Sequence, residues 1–229
     1  MLLEVIVTGA EEARIAARAG ADRLELVAGF EQGGLTPAVA LVAEVAAAVD
    51  VPVHVMVRPH ARGFHYREDE LRAIEEVAAA LRSAGAHGIV FGALDAAGDV
   101  ELASVARVAA ASGGLPMTFH RAFDETRDPL SALDALATVP AVTSVLTSGH
   151  APDAWHGRHL LRTLIARGGR PAILIGSGIT AGNLLSLVQA TGATDVHVGN
   201  AARSGGRIDA ENIRWLRTLL SRAERARRR

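Results

Sequence analysis

The chain has no cysteine and no lysine; all 24 of its basic residues are arginine. Without cysteine there is no disulfide, no thiolate nucleophile and no sulfur-rich metal centre. Without lysine there is no amine to form an imine with a carbonyl substrate or with pyridoxal phosphate (PLP), and no phosphate-loop lysine. Aromatic residues make up only 3%. With 25 acidic residues the net charge is −1, so no basic field draws in nucleic acid. No apolar run approaches the ~20 residues of a membrane-spanning helix. The opening Met1-Leu2-Leu3-Glu4-Val5 lacks a basic segment, so no secretory signal is expected and the cytoplasm is the expected location.

What is present reads as one folded unit. The 229 residues are 49% hydrophobic and 21% charged, which suits a globular domain and excludes a disordered chain. Short β-branched runs alternate with longer Ala/Leu/Arg runs at helical spacing. Strands are predicted at Leu3–Val7, Arg23–Val27, Val53–Arg58, Ile89–Gly92, Met117–His120, Val145–Thr147, Ala172–Ile175 and Val196–Val198. Helices are predicted at Glu11–Ala19, Ala38–Ala48, Glu68–Ala84, Leu102–Ala111, Leu130–Ala137, Arg158–Ala166, Leu184–Ala190 and Ala210–Arg227. Breakers fall between them: Gly20, Gly85 and Gly192 end helices, Pro37 follows a Thr36 cap, and Pro129 follows Asp128. Eight such repeats predict an α/β protein, a closed (β/α)8 barrel of the TIM type, spanning residues 1–229 as a single domain. The competing open, doubly wound sheet would favour G-x-G-x-x-G after the first strand. Thr8-Gly9-Ala10-Glu11 stands there instead, so NAD is not expected.

In such a barrel the outer strand face is apolar, and polar strand residues point inward or towards the mouth. The inner face is expected to carry Glu4, Thr8, Arg23, Glu25, His54, Met56, Arg58, Thr118, His120 and His197, with Asp124 just beyond the fifth strand. Buried charges must pair or shift their pKa values. One reading is an internal ion-pair layer of Glu4 and Glu25 with Arg23 or Arg58 that fixes register; Glu4 and His54 suit it best. The other is a catalytic mouth. Glu25 and His120 would exchange protons, Arg58 would clamp an anion, and Asp124 would orient His120 or hold substrate. Thr147, Ser148, Gly178 and Gly199, at the ends of the last three strands, are the candidates for holding an oxyanion or phosphate. Ser204-Gly205-Gly206 could add to that cradle. His60, His65, His87, His150, His156 and His159 are expected at the surface, and the arginine-rich tail from Arg222 to Arg229 as a solvated helix end.

Several blocks together resemble the CutC family. They are Leu3-Glu4-Val5, Gly20–Leu26, Gly33-Gly34-Leu35-Thr36-Pro37, Pro52–Pro59, Val90-Phe91-Gly92, Thr118–Asp124 and Leu146–Gly149. The resemblance implies a cytoplasmic TIM-barrel protein, a homodimer or higher homo-oligomer, with a role in copper homeostasis and copper binding. Copper(I) favours soft thiolate and thioether ligands, and the chain offers no Cys and 3 Met. The remaining metal-ligand set is His54, Met56 and His120, with Glu25 beside it, which suits copper(II), zinc or manganese equally. The expected partner is thus a metal ion or a small anionic ligand, not nucleic acid or membrane. Three functions compete: a copper-handling protein, an acid/base or metal-assisted lyase, isomerase or hydrolase, and a scaffold acting through its surface.

Overall fold

The computed structural model describes residues 1–228; Arg229, the end of the arginine-rich tail, lies outside them. Eight strands alternate with eight helices: β1 (Leu2–Val7), α1 (Ala10–Ala19), β2 (Arg23–Leu26), α2 (Val39–Ala48), β3 (Val53–Met56), α3 (Glu68–Ser83), β4 (Gly88–Phe91), α4 (Leu102–Ala111), β5 (Met117–Phe119), α5 (Pro129–Ala137), β6 (Val142–Thr147), α6 (Arg158–Arg167), β7 (Ala172–Ile175), α7 (Leu184–Thr191), β8 (Asp195–Val198) and α8 (Ala210–Arg227). The strands are parallel, follow one another in sequence order, and close through β8 pairing with β1. The predicted (β/α)8 barrel is therefore the observed fold.

Strand alternation divides the apolar residues into two sets. Leu3, Val5 and Val7, with Val53, Val55, Ile89, Phe91, Val196 and Val198, belong to the large core between barrel and helices. Val27, Met56 and Val90, with Ile6 and Phe30 against them, form a separate small cluster inside the barrel. Most of the remaining inward positions are polar or glycine, with Leu146 on the cavity wall an apolar exception.

Local chemistry sets the element ends. Asp128 caps α5 by accepting the Leu130 and Ser131 N–H groups, with Pro129 in the first turn, where its missing N–H costs nothing. Asp209 caps α8 in the same way. Gly20 and Gly192 close α1 and α7 in left-handed conformation.

The structure corrects several predicted boundaries. Helix α2 starts at Val39, two residues past Pro37, and Thr36 is not its cap. The Thr36 hydroxyl instead accepts the Arg58 N–H at 2.7 Å, fixing the chain just after β3. β3 ends at Met56, so Arg58 stands beyond the strand. β5 ends at Phe119, and His120 caps a 3-10 turn, Arg121–Glu125. Ser204-Gly205-Gly206 is the turn of a small hairpin, β9 (Arg203–Ser204) and β10 (Arg207–Ile208). Thr8 lies on the exposed surface and donates to Glu12.

Candidate functional site

The barrel opens at the C-terminal ends of its strands into a cavity of about 1020 Å³. Its wall includes Glu25, Met56, Arg58, Phe64, His120, Asp124, His150, Gly178, His197 and Gly199. From the expected set, then, Glu25, Met56, Arg58, His120, Asp124, Gly178 and Gly199 come together. His54, Thr147 and Ser148 are buried and do not line it.

At the floor, Glu4 pairs with Arg23 and accepts a hydrogen bond from His197 Nδ1 at 2.7 Å. His197 Nε2 lies 3.8 Å from Glu25. The expected internal ion pair therefore exists for Glu4 and Arg23, and Arg58 takes no part in it. Burial opposes charge on Glu4, but Arg23 and His197 hold its carboxyl well below the usual range. Glu25 goes the other way. Burial and the neighbouring Glu4 charge, only partly opposed by His197 and Arg23, push it up to about 7. Burial alone would lower His197, but Glu25 and Glu4 raise it. Glu25 Oε1 has no partner among the described residues. Sequence alternation places His197 on the inner face, but its bridging of both glutamates depends on β8 closing against β1.

Arg58 is 8% exposed. Its guanidinium lies 4.8 Å from the Phe64 ring centroid and donates to the Gln32 carbonyl at 3.4 Å. No carboxylate pairs with it among the described residues, and its Nε is buried without a partner. A buried, unneutralised guanidinium facing a cavity is the mark of an anion site.

His120 also packs against Phe64, with ring centroids 4.8 Å apart. Its Nδ1 accepts the Ala122 N–H at 3.2 Å, so the proton of the neutral ring sits on Nε2. Burial and the Arg58 charge push its pKa down to about 3, so the ring is neutral across ordinary pH. Nε2 has no partner among the described residues. His120 thus carries a buried N–H there. His54, lower in the barrel, is likewise pushed down to about 4 by burial and by Arg23.

Asp124 does not orient His120. Its Oδ1 accepts the Thr147 hydroxyl and the N–H groups of Ser148 and His150; Oδ2 accepts the Arg121 side chain. These bonds overcome its burial and hold its pKa below the usual value. Thr147 and Ser148 therefore brace Asp124 from behind the wall, and Asp124 braces the loop after β6. That loop contains His150, which lines the cavity although it was expected at the surface. Its place directly after Thr147-Ser148-Gly149 at a strand end was the overlooked signal. Phe64, in an irregular loop, carried none. His60 is also half-buried, beside Glu70, whereas His65, His87, His156 and His159 are exposed as expected.

Glu4, Glu25 and His197 are also a candidate metal group, with ligand atoms within 4.8 Å of one another. However, Glu4 already holds a guanidinium and an imidazole. The expected set of His54, Met56 and His120 does not share one wall, because His54 lies outside the cavity, and His120 presents hydrogen rather than a lone pair.

Against this geometry, the sequence profile of the CutC family matches residues 1–202. A CutC family protein of Salmonella schwarzengrund is 40% identical over 196 residues, 86% of this chain and 78% of that protein. The solved CutC structure from Streptococcus agalactiae, named for copper homeostasis, superposes with a TM-score of 0.81 at 25% identity, covering 91% of this chain and 100% of that one. Phosphoribosyl anthranilate isomerase from Thermococcus kodakaraensis superposes at 0.65 with 16% identity over 96% of this chain and 98% of its own, a likeness of fold alone. The chain is a member of the CutC family.

Proposed function

We propose that this protein is an enzyme that moves a proton on a small anionic metabolite. The observation that carries the reading is Arg58, a buried guanidinium with no carboxylate partner among the described residues, on the cavity wall. Glycines at Gly178 and Gly199, after β7 and β8 across the same cavity, add backbone around a second anionic group. Glu25 is poised to hold or release a proton near neutral pH. His120, neutral and buried beside Phe64, adds no charge to oppose the Arg58 guanidinium or compete for the anion. Neither an imine nor a thioester is open to a chain without lysine and cysteine. A thermal-shift panel of phosphorylated and carboxylated metabolites, with inorganic phosphate as reference, tests this. Members of the panel raise Tm in the native chain, and Arg58→Ala removes the rise. A panel that leaves both proteins unmoved would sink the reading.

The copper role attached to the Streptococcus agalactiae relative is the second reading. The donor chemistry here does not fit copper(I). No thiolate exists, the Met56 thioether sits among Val27 and Val90, and His120 Nε2 carries a buried hydrogen where a metal would need a lone pair. For a divalent ion, Glu4, Glu25 and His197 give oxygen and nitrogen donors, but Arg23 already supplies the positive charge such an ion would bring.

A further inference from the structure

His150, in the loop after β6, is a non-glycine residue held in left-handed backbone, with φ of 54°. Such a conformation is uncommon outside glycine and persists where surroundings enforce it. Three contacts enforce it here. The His150 N–H donates to Asp124 Oδ1 at 3.1 Å. Its ring stands edge-on to Phe123 at 5.7 Å. Its Nε2 lies 3.2 Å from the Thr126 hydroxyl.

The last contact fixes the tautomer. Thr126 has a single hydroxyl hydrogen, and it is donated to the Phe123 carbonyl at 2.8 Å. With the hydrogen on that shorter contact the oxygen accepts from His150, which assigns the hydrogen to Nε2 and the lone pair to Nδ1. Nδ1 has no partner among the described residues and, unlike His120 Nε2, is not sealed from solvent. Both histidines of the cavity thus carry their hydrogen on Nε2, but that of His120 is buried, whereas His150 leaves its Nδ1 lone pair open. Glu25 comes from β2 and His150 follows β6, strands four places apart and hence on opposite sides of an eight-stranded barrel.

We propose that His150 Nδ1 is the base that takes a carbon-bound proton from an anionic carbonyl substrate, with Glu25 on the facing wall returning a proton to the opposite face of the same carbon. The inference rests on the anion-binding reading given above. The C–H bond breaks, its proton goes to Nδ1, and its electron pair moves onto the carbonyl oxygen as an enolate. Arg58 holds the anionic group. The Glu25 carboxylic acid then delivers its proton to the other face of the same carbon, the enolate electron pair forms the new C–H bond, and the carbonyl re-forms with that carbon inverted. Imidazolium and carboxylate return to their starting states by exchange with water. An isomerisation of this kind needs neither redox cofactor nor covalent intermediate.

The test uses the full chain labelled with 15N. A long-range proton–nitrogen spectrum, with His150 assigned by its loss in His150→Asn, is expected to show Nδ1 unprotonated. Asparagine is chosen because it tolerates left-handed backbone. Thr126→Val is expected to mix the tautomers, and inorganic phosphate to shift the His150 signal in the native chain but not in Arg58→Ala. For each carbonyl metabolite that stabilises the protein, His150→Asn should slow deuterium uptake from D2O by about 100-fold or more while KM changes little. A ring protonated on Nδ1, or deuterium uptake at the native rate in His150→Asn, overturns the assignment and leaves the anion site standing. If neither phosphate nor any metabolite binds the native chain, the anion reading falls and this inference falls with it.

Discussion

Individual side chains here are set by their neighbours more than by their type. Glu4 and Glu25 are both buried glutamates on adjacent strands. One is ionised because Arg23 pairs with it, and the other is pushed up to about 7 because burial and that first charge oppose ionisation. The raised group has a consequence for stability. Between its unfolded value of 4.5 and about 7, the folded chain keeps a proton that the unfolded chain has released. Stability is therefore full below pH 4.5 as far as Glu25 is concerned, and falls as pH rises towards 7, by about 3 kcal/mol. Glu25→Gln should abolish that decline. Urea unfolding of both chains at several pH values checks it, and parallel curves for the two would refute it. His54 and His120 work with the opposite sign, since the unfolded chain takes up protons below pH 6.5 that the folded one refuses.

At the scale of elements, β4 makes room for its neighbours. Its inward positions include Gly88, and Gly92 follows the strand. A Cβ at Gly88 would come within 2.5 Å of His54 Nε2, and one at Gly92 within 2.5 Å of His120 Nδ1. Neither ring could stay where it is beside a strand with side chains there. Gly92→Ala should tilt His120 off the Ala122 N–H, and the chain should lose about 1–3 kcal/mol, the cost of overpacking. The variant should lose the native 15N signature of the His120 ring. An unchanged His120 signal would show that the ring does not depend on this gap. The loop after β6 is an element of the same sort. Asp124, reaching from the 3-10 turn after β5, gathers Ser148 and His150 by their backbone N–H groups.

Over the whole molecule, the inventory of sulfur decides what metal chemistry is open. There are three methionines and no cysteine. Met117 is fully buried in the core between barrel and helices, and Met56 is inside the barrel. They cannot converge on one ion without dismantling β3 or β5. Titration with copper(I) against a competing chelator should leave the metal on the chelator. Stoichiometric withdrawal of copper(I), lost on Met56→Leu, would overturn this. Among the described residues no helix is long and apolar enough to cross a membrane.

The amino-acid sequence by itself determined the barrel, because alternating strand and helix periodicity recurs eight times and each repeat ends in its own glycine, proline or cap. It also determined which strand residues face inward, since alternation on a pleated strand leaves no other choice once the outer face must be apolar. Glu25, Arg58 and His120 could therefore be read from it. Only the tertiary structure decided how those residues are partnered. Closure of β8 against β1 sets His197 between two glutamates, and the turn after β5 sends Asp124 to the β6 loop instead of to His120. Such pairings join residues up to 193 positions apart. Local periodicity carries no record of contacts at that distance.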